Sequence, residues 1–328
     1  MTMTTSLAGP SPGGASAAAG TIAATAPARG STAGGPGSAP GAAAPQEPLR
    51  ADDDVVCATC GVLRPRAAAP QRCPVCDDER QYVAPDGQRW LTPAELARDY
   101  HNTRTELEPG LCSIRTAPAF AIGQHALWIT TPRGNVLWDC LSVVDDATIA
   151  AVRASGGLAA IAISHPHFYG AMRAWSRAFG GVPIWIHEGD RDWIPEPSEE
   201  IRLWTGASTP LVGDLTLVHV AGHFASSQVL HWPAGAGGRG ALLVGDLPNV
   251  CADRRWVTFM RSYPNYIPLA AQDAEAVVAA LRPLPYDRLY GWNPERVMLD
   301  DARARVERSL QRHQRALAGE HGVVAASS

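Results

Sequence analysis

The chain has no lysine: all 28 of its basic side chains are arginines, set against 32 acidic ones for a net charge of −4. Proteins held by charge to nucleic acid or to an anionic membrane show a basic excess or stripe, so neither partner is expected. No apolar run approaches the ~18 residues that a membrane-spanning helix needs, so no span is expected. Residues 1–50 lack any aromatic side chain and nearly any large aliphatic one. Dominated by Ala, Gly, Ser, Thr and Pro, they cannot bury enough apolar surface to offset chain entropy. A disordered tail is expected there and again over 319–328. The first tail lacks the charged start and continuous apolar core of a secretory signal, although it shares a Ser/Thr-rich, acid-poor composition with organelle transit peptides. With seven cysteines, four of them in a metal-type spacing, a disulfide framework is not indicated, and a reducing, cytoplasmic location is expected.

Those four cysteines form two knuckles, Cys57-Ala58-Thr59-Cys60 and Cys73-Pro74-Val75-Cys76, with twelve residues between them. Two Cys-x-x-Cys pairs this close can place four thiolates tetrahedrally around one ion. A structural zinc ribbon over 51–90 is expected, with two redox pairs or a rubredoxin-type iron site as the competing readings. A closed four-thiolate site leaves no position open for substrate, so its role is to hold the fold together. Residues 91–110 are expected to be a linker helix, with Thr92 as its cap and Pro93 in its first turn.

The main domain is expected over 111–318. β-rich runs at 120–130 and 135–139 flank a Thr-Pro-Arg-Gly turn and read as a hairpin. Helical stretches at 145–155 and 171–179 alternate with apolar strand-like runs at 158–163 and 182–187. Strands at 215–220, 228–232 and 241–245 follow, then a helix at 269–281, a short strand at 289–290 and an Arg-rich helix within 294–317. The pattern predicts an α/β fold of two mixed sheets packed face to face with helices outside.

Three short motifs stand at predicted strand ends: Ser164-His165-Pro166-His167-Phe168-Tyr169-Gly170, Gly222-His223-Phe224-Ala225-Ser226-Ser227, and Gly245-Asp246. Two histidines spaced by two can point the same way, and imidazole is the commonest protein ligand for zinc and a good one for iron. His-x-His alone would equally fit two surface loop histidines. Three imidazoles with an open position form a catalytic zinc pattern, whereas two histidines with Asp246 form the face that suits non-haem iron and oxygen.

The order and spacing of these motifs resemble the metallo-β-lactamase-fold superfamily of metallohydrolases, from about Leu111 to Leu299, with the hairpin ending at Trp138-Asp139 matching the opening of that fold. The resemblance implies an αββα sandwich. It places His165, His167 and His223 on the three imidazole ligands of the first metal site and Asp246 on the carboxylate that bridges two metals. It also implies that the second site is missing: Tyr169 stands for that site's Asp, Gly170 for its His, and Trp292 for the late His. Gly has no ligand atom, Trp offers only an N–H donor, and a neutral Tyr is a poor ligand. Because the family's Asp also orients or deprotonates the attacking water, its loss removes a ligand and a base together.

The expected function is therefore that of a metal-dependent hydrolase with one Zn2+ or Fe2+ in the cleft besides the structural Zn2+ of Cys57, Cys60, Cys73 and Cys76. A metal-bound water would attack an ester, thioester or similar bond of a small-molecule substrate, with Asp246 fixing metal and water. Tyr169 is a candidate catalytic donor to an oxyanion, its alternative being packing in the pocket wall. The rival readings are a mononuclear iron oxygenase or redox enzyme of the same fold, and an inactive pseudoenzyme that serves as a binding module. His187 reads as a satisfied loop histidine, His219 as a packing or supporting residue, and Arg254-Arg255-Trp256 as a surface patch that could instead bind an anionic substrate.

Overall fold

The computed structural model describes residues 53–320. The expected tail at 1–50, and that at 319–328 apart from its first two residues, lie outside the described residues.

Two sheets make the body. The first has seven strands, in the spatial order Ile201–Trp204, Ile184–His187, Ala160–Ala162, Val136–Trp138, His125–Ile129, Leu111–Ala117 and His101–Glu108. The second has six: Ser208–Pro210, Thr216–His219, Gln228–Trp232, Ala241–Leu243, Arg288–Tyr290 and Val297–Met298. Both mix parallel and antiparallel pairing; Val136–Trp138 runs antiparallel to the strand before it in the chain and parallel to the one after.

Side-chain alternation along the strands builds three layers of core from two sheets. Leu127, Ile129, Ala160 and Ala162 from the first sheet meet Leu217, Leu230 and Leu243 from the second in one cluster. Their neighbours in sequence point the other way. Val218, Val229 and Leu242 pack under the helices Ala271–Leu281 and Ala302–Leu317, while Ile161, Ile184 and Ile186 pack under the helix Met172–Ala178. Helix, sheet, sheet, helix is the sandwich that the alternating pattern predicts. Gln228 ties the sheets together at one end. Its backbone N–H donates to the Ser164 carbonyl (3.0 Å), its side-chain amide donates to the Ile163 carbonyl (2.7 Å), and its amide oxygen accepts from the Trp204 indole (2.9 Å).

The expected hairpin forms between His125–Ile129 and Val136–Trp138. The helix Asp146–Ala154 is capped by Asp145, whose carboxylate accepts from the Thr148 N–H. The expected helix after Leu91 is confined to Pro93–Asp99, where Thr92 and Glu95 form a capping box. The chain then enters an eight-residue edge strand, His101–Glu108, which pairs along Leu111–Ala117.

The four-cysteine module is not a bead on a string. Cys57, Cys60, Cys73 and Cys76 are fully buried in the same apolar cluster as Ile114, Ile161 and Trp175 of the body. Its three-stranded sheet, Leu63–Pro65, Asp54–Cys57 and Trp90–Leu91, reaches the histidine turn through the Leu63 N–H, which donates to the Gly170 carbonyl at 3.0 Å.

Candidate metal centre

The strand Ala160–Ala162 ends in the turn that carries both histidines of the first motif, and Pro166–Phe168 forms one turn of 3-10 helix. Asp139, at the end of the neighbouring strand with φ of 61°, anchors that turn by accepting the Ser164 N–H at 2.7 Å. Ser164 in turn places its hydroxyl 2.9 Å from His165 Nδ1, which leaves Nε2 facing inward. The second motif leaves the strand Thr216–His219, and the third follows Ala241–Leu243. Gly245 is required there: a Cβ would stand 2.3 Å from Ser164 Oγ and 3.0 Å from His165 Cε1. Its absence lets the two strand ends approach closely enough to share a site.

One carboxylate oxygen, Asp246 Oδ2, lies 3.3 Å from His165 Nε2, 3.6 Å from His167 Nδ1 and 3.6 Å from His223 Nε2. His223 Nε2 and His167 Nδ1 are 3.3 Å apart. Donors held about 2.0–2.1 Å from one ion at tetrahedral corners stand roughly 3.3–3.4 Å from each other. The three imidazoles are buried, and His165 Nε2 makes no hydrogen bond with any described residue although Asp246 is beside it. Such a convergence of inward-facing nitrogens and a carboxylate fits a metal ion. Burial pushes the His165 imidazole down to about 4 and holds His223 well below its usual range, so both are neutral, the form that ligates. Burial alone would raise the Asp246 carboxyl; the adjacent imidazoles of His165 and His167 outweigh it and hold the group ionised.

Further partners fix the ligands, as outer contacts do in metal sites. The Met260 carbonyl lies 3.2 Å from His223 Nδ1. The Tyr263 hydroxyl donates to the Asp246 carbonyl at 2.7 Å. Both supports come from one segment, and the cysteine module buttresses it: Asn265 donates to the carbonyls of Glu79 and Gln81, and Arg261 pairs with Glu79. Arg80 continues the contact, clamped by Asp78, 3.8 Å above the Phe224 ring and 3.4 Å from the His223 carbonyl. Apart from the Asp78–Arg80 clamp, each of these supports joins segments far apart in the sequence, so none is visible as a motif.

The other four-ligand group is equally compact. Cys57 and Cys76 sulfurs are 3.6 Å apart, as are those of Cys60 and Cys73, and all four lie within 4.8 Å of one another. A disulfide would bring sulfurs to about 2.05 Å, whereas thiolates about 2.3 Å from one zinc would be roughly 3.8 Å apart. The spacing fits an ion.

The other residues singled out in the sequence lie outside the ligand cluster. Tyr169 is wholly enclosed in the core behind the turn, with no hydrogen-bond partner for its hydroxyl among the described residues. His187 and His219 stack ring on ring at 4.0 Å, outside the ligand cluster, and His219 donates to the Ala225 carbonyl. Arg255 pairs with Asp253, and Trp256 lies under Arg312 rather than against the site.

Above the ligands opens a cavity of about 590 Å³. His167, His223 and Asp246 form its floor; Arg80, Gln81 and Tyr82 of the cysteine module wall one side, and Tyr263, Trp292 and Arg296 wall the others.

No family model matches the chain. The uncharacterized protein YmaE of Bacillus subtilis (strain 168) is 43% identical over 268 residues, spanning 81% of this chain and 97% of YmaE. Among solved structures, the metallo-β-lactamase FIM-1 from Pseudomonas aeruginosa, in its mono-zinc form, aligns over 66% of this chain and 96% of its own, with 15% identity and a TM-score of 0.51. A B3 metallo-β-lactamase with an active-site glutamic acid aligns over 75% of this chain and 100% of its own, with 17% identity and a TM-score of 0.46. Kinship thus rests on the match to YmaE and the fold on the match to FIM-1: the chain belongs to the family of YmaE and has the metallo-β-lactamase fold.

Proposed function

We propose that this protein is a hydrolase acting on a small molecule through a single metal ion in the cleft. The observation that supports the reading best is the convergence of His165 Nε2, His167 Nδ1, His223 Nε2 and Asp246 Oδ2 at the floor of a cavity large enough for a substrate. A divalent ion held there supplies a Lewis acid and brings the pKa of a bound water to about 7. The chain's own groups do the rest. Ser164 and the Met260 carbonyl fix the rings of His165 and His223. Asp246, pinned at its carbonyl by Tyr263, would offset the charge of a bound ion and orient a water beside it. Zinc is the ion proposed for both centres, and an ester or thioester the bond cleaved.

Metal analysis of the purified full-length protein tests this. Two zinc ions per chain are expected, falling to one in His165→Ala and in His223→Ala, together with loss of ester or thioester hydrolysis. One zinc and one iron would instead assign the cleft to oxygen chemistry. A single zinc unchanged by both substitutions would sink every metal-dependent reading of the cleft.

A further inference from the structure

We infer that the cleft receives an anionic substrate, one bearing a carboxylate or a phosphate monoester, and that Arg296 is the group that binds its charge. The inference rests on the reading of the cavity as the substrate site of the metal centre.

Three groups of fixed charge line the cavity among the described residues: Arg80, Asp246 and Arg296. Two of them are already matched. Arg80 makes a two-pronged pair with Asp78, through Nε to Oδ1 at 2.5 Å and Nη2 to Oδ2 at 2.8 Å. Asp246 is ringed by the three imidazoles. Arg296 is half-buried, and its guanidinium has no hydrogen bond or ion pair with any described residue. A partly desolvated guanidinium without a counter-ion is unfavourable, and its planar fork matches carboxylate and phosphate oxygens two at a time. The lining thus has one positive group left over.

Arg296 is also held firmly enough to serve. It closes the turn between Arg288–Tyr290 and Val297–Met298. Its N–H donates to the Asn293 carbonyl and its own carbonyl accepts from the Gly291 N–H, both at 2.8 Å. The same turn is braced from outside, where the His125 N–H donates to the Trp292 carbonyl and the Arg254 guanidinium to the Glu295 carbonyl. A second polar group lies in the same lining: the Asn249 side-chain oxygen is buried and accepts no hydrogen bond from any described residue. An anion on Arg296 with a neutral donor toward Asn249 would satisfy both.

Calorimetric titration of the full-length, metal-bound protein with phenyl phosphate, benzoate and neutral benzamide tests the assignment. At least one anion should bind about tenfold or more tightly than benzamide, a charge-assisted pair being worth roughly ten- to hundredfold. The stronger of the two anions names the substrate's acid group. Arg296→Gln should abolish that preference while benzamide binding, metal content and melting temperature stay as in the parent; Arg296→Lys should restore part of it. Unchanged anion binding in Arg296→Gln, or no preference for either anion in the parent, overturns the inference whether or not the variant folds well. Repeating the titration in His165→Ala separates the two readings. A preference lost there but kept in Arg296→Gln belongs to the metal and leaves the hydrolase reading standing. A preference that needs Arg296 in a parent protein without cleft metal overturns the hydrolase reading alone.

Discussion

Gly170 carries one of the reasons that the histidine turn offers two ligands and not four. Its φ is +46°, and a Cβ would lie 2.8 Å from the carbonyl oxygens of both Cys140 and Leu141. Those are backbone atoms and cannot swing aside, so an imidazole at this position has no room. The residue before it is equally constrained, since the Tyr169 ring fills the core that the cysteine module covers. Nearby, Asp190 is buried, and one of its carboxylate oxygens has no partner among the described residues. Burial raises its pKa from 3.8 to about 7, against the pull of Ser226 and Arg80. The folded state therefore keeps a proton that the unfolded chain releases near pH 4. Stability from this group is complete below about pH 4 and is lost as pH rises through 7, by an amount on the order of a few kcal/mol. Asp190→Asn removes the titration. In urea unfolding, the parent should lose stability relative to Asp190→Asn between pH 5 and pH 7.5, and parallel profiles would show that burial does not set this group's charge.

At the scale of elements, the cysteine module is a brace for the cleft. Its segment Asp78–Gln81 holds the loop Met260–Asn265, which supports His223 and Asp246, and Arg80 touches the His223 carbonyl directly. The binding free energy of a metal on four thiolates is folding free energy for the segment that bears them. Cys73→Ser should therefore lower the melting temperature by several degrees and raise KM or lower kcat as well, while His165→Ala should leave the melting temperature nearly unchanged. Parent-like melting of Cys73→Ser would remove the structural role of that ion.

At the scale of the molecule, core continuity sets cooperativity. The buried cysteines share one apolar cluster with Ile114, Leu137, Ile161 and Trp175, so the module cannot open without exposing the outer face of the first sheet. Thiol reactivity of the cysteine module and tryptophan fluorescence of the body should follow a single unfolding transition with one midpoint. Reactivity that rises well before the fluorescence changes would mark the module as a separately melting unit. No helix among the described residues is long and apolar enough to cross a membrane.

What the chain discloses by itself is the local part of the design. Short spacings determine it: Cys-x-x-Cys twice, His-x-His after an apolar run, and Gly-His and Gly-Asp at strand ends. Each is a relation among neighbours, so it survives without coordinates. The edge strand His101–Glu108 escapes the same reading because its side chains are mostly exposed and carry no two-residue alternation of apolar and polar. Ile201–Trp204 escapes because it is four residues long and follows a Pro- and Glu-rich stretch. Only the tertiary structure decides that Arg80 joins the cleft wall, that Tyr263 pins Asp246, that Tyr169 is enclosed in the core and not in the cavity lining, and that Arg296 has no counter-ion among the described residues. Those facts depend on contacts between segments tens to hundreds of residues apart, and long-range packing, unlike ligand spacing, leaves no periodic signature in the residues it brings together.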